Sequence, residues 1–292
     1  MKFTHKVARL PKETVEITTT IPWTVIKEAY DKAFTALSEA LEVEGFRRGK
    51  APKAVAEKHI PQERIYDRAI RDVLPDIYEE IVKVESLKPV VNPKIDLKEA
   101  KPDADWVIVF TVAERPKVTV GDYRKIVQEA KKGRKSADIW VPGQDAPQQP
   151  TEQEKAAQQQ ELMNTVLNEL LTSATIEVAD VIIEEELNQR LARLVDDVQK
   201  LGMTVDSYLR SKQTTMDELK ASYSKEIEET HKIELILNEI ASAENIEVTE
   251  EELGALFKGV KDDAEREAVQ KNAYFYAMIL RKQKTLDFLL GL

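Results

Sequence analysis

The sequence predicts an α+β N-terminal domain followed by an all-α C-terminal domain, in one multi-domain chain. Three observations carry this. Residues 14–112 mix strand-like alternation with helical periodicity, whereas from Thr151 onward only helical periodicity is found. Between them lies a Gln-rich stretch with several prolines that keeps neither period. The 292 residues are long enough for about two such parts.

The elements follow in order. Thr14 to Ile21 alternates β-branched and polar residues and stops at Pro22, which reads as a strand. Trp23 to Leu41 reads as a helix, with Val25/Ile26, Ala29/Tyr30, Ala33, Ala36/Leu37 and Ala40/Leu41 at helical spacing. A short helix over Lys53–His59 follows a loop. Arg64 to Leu87 then repeats Ile65, Ala69/Ile70, Val73/Leu74, Ile77, Ile81 and Val84, with Pro75 expected to kink or split it. Val90 to Leu97 and Trp106 to Val112 read as a hairpin around the turn-forming Ala100-Lys101-Pro102-Asp103. This part ends near Pro116, and the domain is placed at 1–118.

The loop carries the densest information. Gly45-Phe46-Arg47-Arg48-Gly49-Lys50-Ala51-Pro52 sets a phenylalanine among three cations, with no acidic residue from Gly45 to Ala56. The glycines permit positive φ, and Pro52 suits the start of the next helix. Such a loop holds an aromatic ring and cations toward solvent, where they suit a partner that is anionic and offers an apolar slot. The bland alternative is a connecting loop whose phenylalanine tucks back into the core. A nucleotide-binding loop of the form G-x-x-x-x-G-K-[ST] is excluded: three residues separate the glycines, Ala51 replaces the hydroxyl residue, and a helix precedes instead of a strand.

Residues 119–150 are assigned to a linker or extended arm. Lys131-Lys132-Gly133-Arg134-Lys135 is a basic cluster, and Pro142-Gly143, Pro147 and Pro150 punctuate the Gln-rich residues before Thr151. Protease is expected to cut first near Lys131–Lys135. Trp140 either anchors this stretch or is exposed. The helical domain is placed at 151–292. Its stripes are Leu162, Val166/Leu167, Leu170/Leu171, then Ile183, Leu187, Leu191, Leu194, Val198 and Leu201, closed by Gly202. Thr215-x-x-Glu218 and Thr249-x-x-Glu252 are capping boxes that start helices. A last helix is expected near Asp262–Leu290. Its run Tyr274 to Leu280 is apolar on every side, fitting either burial between helices or an open surface for unfolded chains.

Composition narrows the function. The chain has no cysteine, hence no disulfide, thiolate metal site or thiol nucleophile. His5, His59 and His231 are scattered and read as solvated, and the acidic runs Glu184–Glu186 and Glu250–Glu252 read as helix-start charges. No catalytic residue, metal site or cofactor is indicated. The first residues lack an apolar signal core and no run approaches the roughly 18 apolar residues of a membrane span, so the cytoplasm is expected and a membrane is not. The net charge of −10 is uneven: residues 151–292 hold 29 acidic and 16 basic residues, leaving 24 and 27 in 1–150. The N-terminal part can meet a polyanion that the C-terminal part repels.

The loop matches G-F-R-x-G-K-x-P, and through it the chain resembles the trigger factor family of ribosome-associated bacterial chaperones. The C-terminal half resembles that family more diffusely, in helix order and in Ile176-Glu177-Val178 before Ile182-Ile183-Glu184-Glu185-Glu186-Leu187. The resemblance implies an elongated molecule with helical arms around a cradle. It assigns Gly45, Phe46, Arg47, Arg48, Gly49, Lys50 and Pro52 to ribosome docking, at exit-tunnel protein and ribosomal RNA. Unfolded or nascent polypeptides are the implied clients, with Tyr274, Tyr276 and Met278 as candidate contacts, and it leaves room for a homodimer off the ribosome. The implied function is an ATP-independent chaperone that docks at the tunnel exit and shelters nascent chains, assisting folding and export. The alternatives are a ribosome-independent cytosolic holdase or assembly factor and, third in order, a peptidyl-prolyl isomerase with a rudimentary active site.

One departure is plain. Family members commonly carry a peptidyl-prolyl isomerase domain of the FKBP type, about 100 residues long. Only about 35 residues separate Pro116 from Thr151, with Tyr123 and Trp140 as their aromatics. Isomerase activity is therefore not carried over to this chain.

Overall fold

In the computed structural model, residues 3–135, 151–258 and 272–292 are described. They divide into two compact units, Met1–Pro116 with Ala179–Ile182, and Lys117–Val178 with Ile183–Leu292. The fold class is that of the sequence analysis: a small antiparallel sheet with helices, then a mostly helical region.

In the first unit, strands β1 (Thr4–Leu10), β2 (Thr14–Ile21), β3 (Lys94–Glu99) and β4 (Trp106–Ala113) form an antiparallel sheet ordered β1-β2-β4-β3. The period-2 pattern of β2 buries Val15, Ile17, Thr19 and Ile21. Register sets Ile17 opposite Phe110 and Ile21 opposite Trp106, so the apolar sets of both strands share one face. Helices α1 (Trp23–Ala40), α2 (Lys53–His59) and α3 (Gln62–Val84) complete the unit. Ile26, Leu74, Ile77 and Ile81 cover the sheet face.

Three expectations are corrected. Strand β1 was not foreseen. It is an edge strand with mostly exposed residues, and its turn to β2 needs positive φ at Lys12 and Glu13, a type I′ requirement usually signalled by Asn-Gly. Helix α3 is not split at Pro75; burial of Leu74, Ile77 and Ile81 outweighs the hydrogen bond that the proline nitrogen cannot donate. The strand expected from Val90 starts only at Lys94, past Pro93, with Val90 donating an isolated bond to Ala113.

The second unit holds α4 (Tyr123–Lys135), α5 (Glu152–Ser173), α6 (Asp180–Lys200) from Ile183 onward, α7 (Val205–Ser211), α8 (Met216–Ala243), α9 (Glu250–Lys258) and α10 (Ala273–Gly291). Thr151–Glu154 and Thr215–Glu218 form reciprocal capping boxes, and Thr249–Glu252 makes the same pair of bonds. Gly202, at φ 71, closes α6: its N–H reaches Gln199 and that of Met203 reaches Val198, the two bonds of a Schellman motif.

Here the linker expectation meets its main correction. From 119 to 135 the chain is ordered, with Thr119 paired to Thr175 and Val127 of α4 fully buried beside Val166, Leu170, Ile236, Ile240 and Leu289. Lys131 donates to the carbonyl of Leu290 at 2.7 Å, so the expected cleavage point lies on a packed helix. Tyr123, Ile126, Val127 and Ala130 supply a narrow apolar stripe hidden among charges. Trp140 and the rest of 136–150 lie outside the described residues, as does the part of the expected last helix that precedes Asn272.

Glu244, at the end of α8, accepts hydrogen bonds from the Tyr123 hydroxyl and from Arg124 at 2.5 Å. These bonds, Tyr123 first, hold its carboxyl below the ordinary glutamate range, and the same bond, with burial, raises the Tyr123 hydroxyl. Capping bonds lower Glu154 and Glu218, and Lys284 with Thr249 lowers Glu252. A carboxyl lowered on folding contributes stability above its unfolded value, near pH 4–5, that drains away as pH falls through the folded value. Melting temperature followed by circular dichroism should therefore fall below about pH 4.5. Glu244→Gln should melt earlier at neutral pH and show a shallower acid limb.

Candidate docking loop and exposed helix surface

The glycine spacing of the loop writes its shape. Phe46 N–H bonds the carbonyl of Val43 at 3.0 Å, and Lys50 N–H bonds that of Arg47 at 2.9 Å. These are two successive turns, 43–46 and 47–50. In each the third residue is a glycine at positive φ, Gly45 at 85° and Gly49 at 70°, as a type II turn demands. A third bond, Gly49 N–H to Leu41 carbonyl at 3.0 Å, closes the neck. The four-residue interval between the glycines therefore sets the beat of two tandem turns.

The tip is solvent-facing. Phe46 is 44% exposed, so it does not tuck into the core, and Arg47, Arg48 and Lys50 are exposed around it. Arg48 Nε lies 3.7 Å from Glu42 Oε1, between two well-exposed side chains. Beneath the tip, Pro52 leads into α2 and its carbonyl accepts from Val55 and Ala56. Ala29, Ala33, Phe34, Ala56, Ile60, Ile65 and Ala69 pack α1, α2 and α3 into a small core at the loop base. The loop is thus flexible in composition yet mounted on a packed frame.

A Cβ built on Gly49 would lie 2.5 Å from the Glu39 carbonyl oxygen, and its positive φ strains any L side chain. Gly49→Ala should cost about 1–3 kcal/mol and reshape the neck, read as a lower melting temperature of the 1–116 fragment. Gly45 has open space around it, so Gly45→Ala should cost only the φ penalty, about 1 kcal/mol. Equal losses in both would show that the neck contact does not matter.

In the helical unit the N-terminal half of α10 is open. Tyr274 is 80% exposed, and Phe275, Met278 and Ile279 are each at least half exposed, whereas Tyr276 is half-buried. Farther along, Thr285 and Leu289 are buried. A hollow of about 150 Å³ beside this stretch is lined by Phe275, Met278, Ile279 and Leu237. Of the two readings of Tyr274–Leu280, the structure supports open surface for most of the run. Leu201, at the end of α6, is also 75% exposed.

Of the three histidines expected to be solvated, His59 is exposed, whereas the other two are paired. His5 Nε2 lies 2.8 Å from Glu85 and His231 Nε2 lies 2.8 Å from Glu186, both partly buried. Sequence reading missed these pairs because the partners are 80 and 45 residues away. Among the described residues, no group of three or more His, Asp or Glu side chains could hold a metal ion, and no helix is long and apolar enough to cross a membrane.

Comparison with known proteins adds an independent line. Residues 1–138 match the family model described as bacterial trigger factor protein (TF), and residues 144–290 match that of the bacterial trigger factor C-terminus. Residues 139–143 are all that separates the two matches, so the chain looks to lack the isomerase domain. The trigger factor of Ligilactobacillus salivarius (strain UCC118) is 37% identical over 101 residues, 35% of this chain and 23% of that protein. The trigger factor of Streptococcus mutans serotype c is 34% identical over 125 residues, 43% of this chain and 29% of the relative. These alignments span about a quarter of each curated relative's length. A solved structure reported as "Promiscuous Substrate Recognition in Folding and Assembly Activities of the Trigger Factor Chaperone" covers 98% of this chain and 99% of its own, with a TM-score of 0.60. At 17% identity that likeness is one of fold.

Proposed function

Because the chain belongs to the bacterial trigger factor family, we propose that it is an ATP-independent chaperone that docks at the ribosomal tunnel exit through Gly45–Pro52 and shelters nascent polypeptides. The observation that carries this reading is the tip itself: an exposed Phe46 among Arg47, Arg48 and Lys50, held on two glycine turns. Phosphates of ribosomal RNA suit the cations, and an apolar slot on an exit-tunnel protein suits the ring. Docking would hold the helical unit at high effective concentration over the emerging chain. Exposed apolar groups of α10 would bind many sequences weakly, and a client that buries its own apolar surface would leave. Domain assignments follow function: docking in 1–118 and client binding in the helical part, whose packed unit starts at Lys117 instead of 151. The activity is physical, without nucleotide, metal or peptidyl-prolyl isomerisation, and its place is the cytoplasm.

Two assays test the reading. Ribosome co-sedimentation of the full chain should weaken steeply from 50 to 200 mM salt, as counterion release requires; suppression of client aggregation without any co-sedimentation would favour a ribosome-independent holdase. Tyr274→Ser, Tyr276→Ser and Met278→Ser together should keep the circular dichroism of the fold and lose most suppression of aggregation of an unfolded model protein. A folded triple variant with undiminished suppression would move the client contacts elsewhere, and an unfolded one would assign these side chains to the core.

A further inference from the structure

The two arginines of the tip do not face the same surroundings. The bond from Gly49 N–H to Leu41 carbonyl closes the neck, so the residues next to its ends, Glu42 and Arg48, stand side by side across it. Their side chains approach to 3.7 Å, whereas Arg47 opens the same turn, next to Phe46. We propose that Glu42 is a built-in counter-ion that occupies Arg48 until an RNA phosphate displaces it, and thereby lowers the affinity of the tip for polyanions. The inference rests on the docking reading above and deepens it.

The physical consequence is a lowered affinity for polyanions. A polyanion without an apolar slot meets a tip whose net positive charge is reduced by one, and must displace a carboxylate to use Arg48. A surface that also receives Phe46 gains the apolar contact in addition, while the cost of freeing Arg48 stays the same. Both side chains are well exposed, so the pair is weak, worth up to about fivefold in binding. That weakness lets it exchange partners instead of locking the loop.

The test uses the full chain with two probes, labelled polyuridylate and intact ribosomes, titrated from 50 to 200 mM salt. Glu42→Gln should bind polyuridylate about two- to fivefold more tightly. Its plot of log affinity against log salt should steepen by about 0.7, one further phosphate on a single strand. Ribosome affinity should rise by a similar factor, because the cost of freeing Arg48 is common to both probes. In an Arg48→Ala background the same Glu42→Gln change should do nothing, which isolates the pair. An unchanged Glu42→Gln variant, an equal gain in the Arg48→Ala background, or no polyuridylate binding by any variant at 50 mM salt would overturn the proposal. Loss of the docking reading looks different: wild type then fails to bind ribosomes while Glu42→Gln still steepens the polyuridylate plot.

Discussion

Replacing Phe46, Arg47 and Arg48 together by alanine is expected to abolish co-sedimentation with ribosomes while leaving melting temperature and circular dichroism unchanged. The fold should be indifferent, because all three side chains are exposed and the small core beneath the loop contains none of them. Binding should not be indifferent. An anchoring aromatic is worth about 2 kcal/mol or more at an interface, and two cations that release counterions add a salt-dependent term of similar size. The combined loss should exceed about 100-fold near physiological salt. The turns should survive, because they are set by Gly45, Gly49 and backbone bonds. Wild-type co-sedimentation by a folded triple variant would refute the docking assignment.

Charging the centre of α4 should be the most damaging single change in the helical unit. Val127 is fully buried against the apolar side chains of Val166, Leu170, Ile236 and Ile240. Val127→Asp should cost about 3–5 kcal/mol, the penalty of an uncompensated buried charge. Denaturant titration of the 117–292 fragment would read this as a lower midpoint. The same packing predicts that a 151–292 fragment is unstable, because removal of α4 uncovers apolar side chains of α5, α8 and α10 and breaks the bonds to Glu244 and Leu290. A 151–292 fragment as stable as 117–292, together with a harmless Val127→Asp, would return 119–135 to the status of a linker.

The properties that could be read directly from the chain were local. The glycine interval 45–49 prescribes two turns because positive φ is cheap only for glycine. Thr151, Thr215 and Thr249 with a glutamate three residues on prescribe helix starts, and Gly202 a helix end, because capping bonds join neighbours in sequence. The alternating face of β2 and the stripes of α1 and α3 follow from strand and helix geometry alone. Each of these signals is complete within a few residues, so no knowledge of the rest of the molecule is needed.

Other properties depended on partners remote in sequence. Strand β1 exists because β2 offers it a ladder, and its turn lacks the usual residues. Helix α4 joined the helical unit because α5, α8 and α10 leave a place for Val127, and charged neighbours masked that short stripe. Exposure was the largest quantity left open. A run such as Tyr274–Leu280 has the same apolar content whether covered or bare, and only the positions of the neighbouring helices leave Tyr274 and Met278 facing solvent. Sequence determined which residues can turn, cap and bury, whereas tertiary structure decided which were left over, since burial is a property of the contacts around a side chain and not of the side chain itself.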